Sequence, residues 1–146
     1  MVPRWHIFWG GILSILIWIF FPETAWYNLA LFFLSSVLID FDHYMCAVIK
    51  NKSLSLPKAL RYYDKAIELE KKRYDQGIRR KGDFHVFHTI EFHALVFAIG
   101  LVFKPFLFIF LGMTFHSLLD IIKMIWVDRL YGREFFLTNW IAKRFK

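Results

Sequence analysis

F-L-F-I-F-L-G-M-T-F-H-S-L-L-D-I-I-K-M-I-W-V, residues 106–127, decides the fold. It holds no proline, a single glycine and no strand-like alternation, so helix is favoured. A bilayer core of about 30 Å takes roughly 20 helical residues. The stretch meets that length, and residues 106–115 carry no ionisable group. Its second half then places His116, Asp120 and Lys123 inside an apolar helix, where charge is expensive. One segment therefore reads both as a membrane crossing and as the carrier of a site.

Three further segments read the same way. Residues 5–21 are apolar and stop at Pro22. Residues 24–49 are apolar up to Ile39 and then carry D-F-D-H at 40–43. Residues 84–103 end before Lys104-Pro105. The expected fold class is all-α, a single membrane domain over residues 1–146. Pro22-Glu23-Thr24 and Lys104-Pro105 are short links, which make two antiparallel hairpins. Pro22-Glu23-Thr24 is not a small-x-small site, so the first segment reads as a retained helix.

Composition agrees. Of the 146 residues 58% are hydrophobic and 21% aromatic, with 18 Phe. Soluble domains run roughly 45–50% apolar, and four such helices leave too little polar surface to coat a soluble bundle. Disorder is excluded, and so is a disulfide scaffold, since Cys46 stands alone. The net charge of +7 points to anionic lipid rather than nucleic acid as partner.

That charge is unevenly placed. The loop at 50–83 holds 11 of the 19 Lys/Arg. By the positive-inside rule it is cytoplasmic, and so is the basic tail at 128–146, with Arg129, Arg133, Lys143, Arg144 and Lys146. The expectation is a multi-pass cell-membrane protein with both termini cytoplasmic. Within the loop, Ser55 and Pro57 mark a helix start. Leu56, Leu60, Tyr63 and Ile67 then form an amphipathic stripe suited to the membrane surface. The tail mixes Phe135, Phe136, Trp140, Ile141 and Phe145 with cations and reads as an interfacial helix.

The ionisable groups inside the helices gather at one end. His6 opens the first helix. Asp40, Asp42 and His43 lie in the cytoplasmic half of the second. His85, His88, Glu91 and His93 open the third, and His116 and Asp120 sit in the inner half of the fourth. Residues 12–21, 25–38, 95–103 and 106–115 contain none. His116 and Asp120 are i and i+4, and Asp40 and His43 are i and i+3, so each pair shares a helix face. His85, His88 and Glu91 follow at i+3 steps along a ridge. His93 falls off that ridge, and Asp42 falls off the Asp40–His43 face if the helix stays regular.

Histidine nitrogens and carboxylate oxygens on facing helices are what zinc, manganese or iron needs. The candidate ligands are His6, Asp40, Asp42, His43, His85, His88, Glu91, His116 and Asp120. They exceed one tetrahedral site. A two-metal centre would use them and suits phosphoester hydrolysis, with Glu91 or Asp40 as base or bridge. There is no G-x-S-x-G, Walker loop, zinc-finger pairing or Rossmann fingerprint.

An early His, D-x-D-H after the second helix, a His cluster at the third and H-x-x-x-D in the fourth together resemble the YdjM/YbcI-like membrane-bound metal-dependent hydrolases. Here these are His6, Asp40-Phe41-Asp42-His43, His85/His88/Glu91 and His116/Asp120. The resemblance covers most of the chain outside residues 50–83 and the tail, and it implies an inner-membrane hydrolase. Some members of that family are linked to a DNA-damage regulon. The ligand order is also distantly similar to zinc-dependent phospholipase C. Many family members carry H-R-G-x-T-H-S at the third helix. This chain has F-H-V-F-H-T-I-E-F-H instead, with no Arg-Gly. His88 and His93 keep the five-residue separation, while His85, His88 and Glu91 offer an alternative set.

The expected function is metal-dependent hydrolysis of a phosphoester or phospholipid-like substrate at the cytoplasmic face. The expected cofactor is a divalent metal, zinc first, and two ions fit the ligand count. The alternatives are a metal or proton conduit and a non-enzymatic regulatory membrane protein. A conduit calls for polar residues through the outer halves, which hold no Asp, Glu, Lys, Arg or His. In a regulatory protein the His/Asp layer would be a hydrogen-bonded network, and His116→Ala would leave function intact.

Overall fold

Proline and glycine set several of the helix boundaries. Pro22 follows the end of α1 (Pro3–Phe20), Pro57 sits in the first turn of α4 (Leu56–Asp75), and Pro105 opens α6 (Pro105–Trp126). Each is a position where the missing N–H costs no helical hydrogen bond. Gly77 follows α4 with a φ of +73°, the left-handed conformation that glycine adopts without penalty. The computed structural model describes residues 3–145 and contains no strand among them. The remaining helices are α2 (Trp26–Leu38), α3 (Phe41–Asn51), α5 (Ile90–Val102) and α7 (Leu137–Arg144). Single 3₁₀ turns lie at Val86–His88 and Leu130–Gly132. The tail's Lys146 lies outside the described residues.

α6 is the central element, packed against α1, α2 and α5, while α4 lies along α3. Two small residues permit the closest approaches. A Cβ on Gly112 would lie 2.1 Å from Ser35 Oγ and 2.3 Å from the Phe32 carbonyl oxygen, so α6 and α2 touch backbone to backbone there. A Cβ on Gly100 would lie 2.9 Å from Leu107 N, which closes the α5–α6 hairpin. Around them Ile39, Val96 and Met113 form a buried core flanked by Phe87, Phe92, Ile109 and Phe110. The outward faces are apolar as well: Trp18, Phe20, Leu101, Val102 and Trp126 are all more than half exposed.

Among the described residues, two helices are long and apolar enough to cross a membrane: Trp26–Asn51, which joins α2 to α3, and Pro105–Trp126. The other two expected crossings form shorter apolar helices. The helix expected over 84–103 begins only at Ile90, because Thr89 caps it. The Thr89 hydroxyl oxygen accepts from Phe92 N at 3.3 Å and donates to the Val86 carbonyl at 2.8 Å. Residues 84–89 are thereby turned out of helix. The helix expected over 24–49 is interrupted at Ile39–Asp40.

The tail does not lie free. It runs along residues 81–91: Gly82 N donates to Gly132 O, Ile90 N donates to Phe135 O, and the Phe84 and Trp140 rings stack at 4.4 Å. Glu134, 8% exposed, accepts from Lys81, Asn139 and Lys143. The two lysines, Lys143 first, hold its carboxyl at about 2, below its ordinary 4.5. A depressed folded pKa adds stability above the unfolded pKa and loses it as pH falls through the folded value. The tail should therefore loosen between about pH 4.5 and pH 2. Thermal unfolding of Glu134→Gln should show a flatter pH dependence than wild type across that window.

Candidate metal centre

The cluster begins at the two helix interruptions. Because the helix breaks at Ile39–Asp40, Asp40, Asp42 and His43 all reach one site, including the Asp42 that a regular helix would have turned away. Because residues 84–89 are not helical, His85 and His88 swing onto the same carboxylates. His88 Nδ1 lies 3.2 Å from Asp42 Oδ2, and Phe87 N donates to that oxygen at 2.9 Å. α6 supplies His116 and Asp120 one turn apart, and α1 supplies His6, whose ring stacks on His116 at 3.7 Å.

Distances then sort the groups. Asp40 Oδ1 is the common point: it lies 3.3 Å from His116 Nε2, 3.4 Å from His88 Nε2 and 3.5 Å from His43 Nε2. His88 Nε2 and His116 Nε2 are themselves 3.4 Å apart. On one side of this triangle stand Asp120, with Oδ2 3.7 Å from His116 Nε2, and His6, with Nε2 3.3 Å from Asp120 Oδ1. On the other side His43 and His85 stack at 3.5 Å, and His85 Nδ1 lies 3.7 Å from Asp42 Oδ1. Among the described residues, four overlapping His/Asp groups able to hold a metal ion result: His6/Asp40/His116, Asp40/His43/His88, Asp42/His43/His85 and His88/His116/Asp120.

The fit to a cation rests on three features. First, His116 Nδ1 donates to the Ser36 carbonyl at 2.8 Å, which leaves the Nε2 lone pair facing the cluster. His88 is oriented likewise, its Nδ1 bound to the Asp42 carboxylate. Two imidazole lone pairs and a carboxylate oxygen facing one another repel unless something positive lies among them. Second, ligands 2.0–2.1 Å from a tetrahedral metal stand about 3.3–3.4 Å from one another. The Asp40–His88–His116 triangle has sides of 3.3, 3.4 and 3.4 Å. Third, His6 Nδ1 is buried without a hydrogen-bond partner, and Asp42 Oδ1 and His85 Nδ1 are buried with only their 3.7 Å contact to each other. Such atoms are costly to bury unless they bind something. His6, His88, His116 and Asp120 are all 4% exposed or less.

Two sequence candidates stand apart. Glu91 accepts from Leu137 N at 2.9 Å, Thr138 N at 3.1 Å and Thr138 Oγ1 at 2.9 Å. It anchors the first turn of α7, and its carboxylate is not among the grouped ligands. Glu91→Ala should leave metal content unchanged and loosen α7, as the loss of a helix cap does. Hydrogen exchange at 137–144 checks the loosening, and metal analysis checks the site. His93 is held by Thr89 O at 3.0 Å and Ser117 Oγ at 3.2 Å, also outside the groups. The structure thus gathers His85 and His88, with neither Glu91 nor His93.

Some neighbours carried no sequence signal. Arg133 Nη2 donates to Asp120 Oδ2 at 2.6 Å, although the chain reads there only as a basic tail. Tyr63 donates to the His43 carbonyl at 2.7 Å. Asp83 accepts from Tyr62 at 2.7 Å and from Lys50 and Cys46, tying α4 to the segment that leads into His85. Burial raises the Asp83 pKa, but the Lys50 and Tyr62 hydrogen bonds outweigh it and hold the carboxyl below its ordinary value. No family model, curated protein or solved structure matches the chain.

Proposed function

We propose that the protein is a membrane-embedded, metal-dependent hydrolase of a phosphoester, with a phospholipid-like molecule as its substrate. The observation that carries this reading is the Asp40–His88–His116 triangle, flanked on both sides by further His and Asp. Asp40, Asp42 and Asp120 bring three carboxylates to the histidines, a donor set that a divalent cation would suit. His6, Asp40, His88, His116 and Asp120 would hold one ion, and Asp42, His43 and His85, sharing Asp40, a second. Nitrogen-rich ligation favours zinc over magnesium or calcium. When bound, such an ion supplies Lewis-acid polarisation of a phosphoryl oxygen and acidification of a water.

The chain's own residues do the rest. Asp40, with Oδ1 at the meeting point and its side chain still 22% accessible, is the group placed to take a proton from an entering water. The Ser36 carbonyl and Asp42 fix the rings of His116 and His88, so the ligand positions exist before substrate arrives. Beside the site runs an apolar groove of about 160 Å³, lined by Ser35, Leu38, Ile39, Phe87, Phe92 and Met113. Ile39 and Phe87 directly precede Asp40 and His88, so an acyl chain in the groove would bring its head group to the carboxylates.

The proposal extends to topology. Four apolar segments cross the bilayer, with the site and both termini on the cytoplasmic side of the inner membrane. α6 is about 33 Å long, and α5 about 20 Å, at 1.5 Å per residue. The short α5 enters the membrane only beyond the non-helical residues that carry His85 and His88. The outer halves hold no Asp, Glu, Lys, Arg or His, which favours hydrolysis over conduction, because a proton or metal conduit needs such groups along its length.

The test is metal analysis of the purified protein in lipid nanodiscs, with phosphodiesterase and phospholipase assays. Bound metal, hydrolysis that chelator removes, and a lowered Tm in chelator are expected. Metal-free protein with unaltered stability in chelator overturns the reading. Metal flux into liposomes without hydrolysis supports the conduit instead.

A further inference from the structure

We propose that Arg133 is the anion-binding residue of this centre and contacts a phosphoryl oxygen of the substrate. The inference rests on the reading of the cluster as a metal-dependent phosphoester site and adds its recognition element. Arg133 comes from the tail, 13 residues after Asp120, and its side chain is only 13% exposed and reaches that carboxylate. Asp120 belongs to one flank of the cluster, and the Arg133 charge also lies within electrostatic reach of His85 on the other flank. The guanidinium thus touches one flank directly, through Asp120.

The backbone around it is held rather than loose. Gly82 N donates to Gly132 O at 2.8 Å, Lys81 Nζ donates to Arg133 O at 3.2 Å, and Ile90 N donates to Phe135 O at 2.9 Å. These bonds tie the arginine to the segment that carries His85 and His88. A guanidinium has five N–H donors in a planar fork that matches a phosphoryl group. Among the described residues its side chain donates one hydrogen bond, to Asp120, so most of the fork remains for a ligand. The neighbouring cations differ. Lys81 and Lys143 share a single carboxylate, Glu134, both at 2.9 Å, and neither contacts the His/Asp cluster. Arg133 is paired with a carboxylate whose charge a metal would share, and that leaves the arginine with unbalanced positive charge.

The test is titration of inorganic phosphate into wild type, Arg133→Met and Arg133→Lys, each in nanodiscs with zinc and again after chelation, at fixed ionic strength. Metal content is measured in parallel. Wild type should bind phosphate. Arg133→Met should keep its metal and bind phosphate roughly tenfold or more weakly, the loss of a charge-assisted hydrogen bond. Arg133→Lys, which keeps the charge and loses the fork, should fall between, and it decides the matter if Arg133→Met does not fold. Phosphate binding unchanged in either folded variant overturns the inference. So does loss of metal together with phosphate binding, which would make Arg133 only the counter-ion of Asp120. If wild type holds no metal but binds phosphate through Arg133, the anion site stands and the hydrolase reading falls. If it binds neither, both fall.

Discussion

Asp40→Ala should abolish the proposed hydrolysis and lower metal affinity by more than about 100-fold. Losing an outer-shell partner of a metal ligand typically costs 10–100-fold, and Asp40 is placed more centrally than that. Its Oδ1 lies 3.3–3.5 Å from the Nε2 atoms of His43, His88 and His116, so one atom meets histidines from both flanks of the cluster. Without it, the facing lone pairs of His88 and His116 lose the anion that completes their triangle. Metal analysis after dialysis against buffered zinc, with a phosphodiesterase assay on the same sample, reads both effects. His93→Ala is the matched control and should retain its metal, since that ring lies outside the groups. Equal metal content in Asp40→Ala and wild type would contradict the assignment of Asp40.

Gly112→Ala should destabilise the fold by about 1–3 kcal/mol or more, as overpacking of a close contact does. The added Cβ would sit 2.3 Å from the Phe32 carbonyl oxygen, and backbone cannot rotate away as a side chain can. α2 and α6 must separate instead. Small residues at helix contacts are what allow such approaches in membrane bundles. The damage should reach the site as well, because His116 lies one turn beyond Gly112 and its Nδ1 is held by Ser36 on α2. Reduced Tm and weakened zinc affinity are therefore expected together. Gly82→Ala, whose Cβ would meet only Gly132 O at 3.5 Å, should change neither.

The helices were legible where apolar runs met proline boundaries. α1, α4 and α6 fall within one or two residues of the limits that Pro22, Pro57 and Pro105 set. The interruptions were not legible. Thr89 reads as one more residue of an apolar helix until its hydroxyl is seen to cap α5, and nothing local in Ile39–Asp40 announces a break. These two interruptions decide the membership of the site. Helical spacing alone puts Glu91 on the ridge of His85 and His88 and leaves Asp42 off the face. With the helices broken, Asp42 enters and Glu91 turns to cap α7. The H-x-x-x-D pair needed no such correction, because α6 is regular through His116 and Asp120. Arg133 could not be read in advance, since it depends on the tail folding back along residues 81–91.

The most direct test of the central claim is anomalous scattering at the zinc edge from crystals of the protein grown with zinc. The account predicts a peak bonded to Asp40, His88 and His116, with a second beside Asp42, His43 and His85 if two ions bind. A well-ordered cluster with no peak among these side chains, or zinc found only on surface residues, would contradict it.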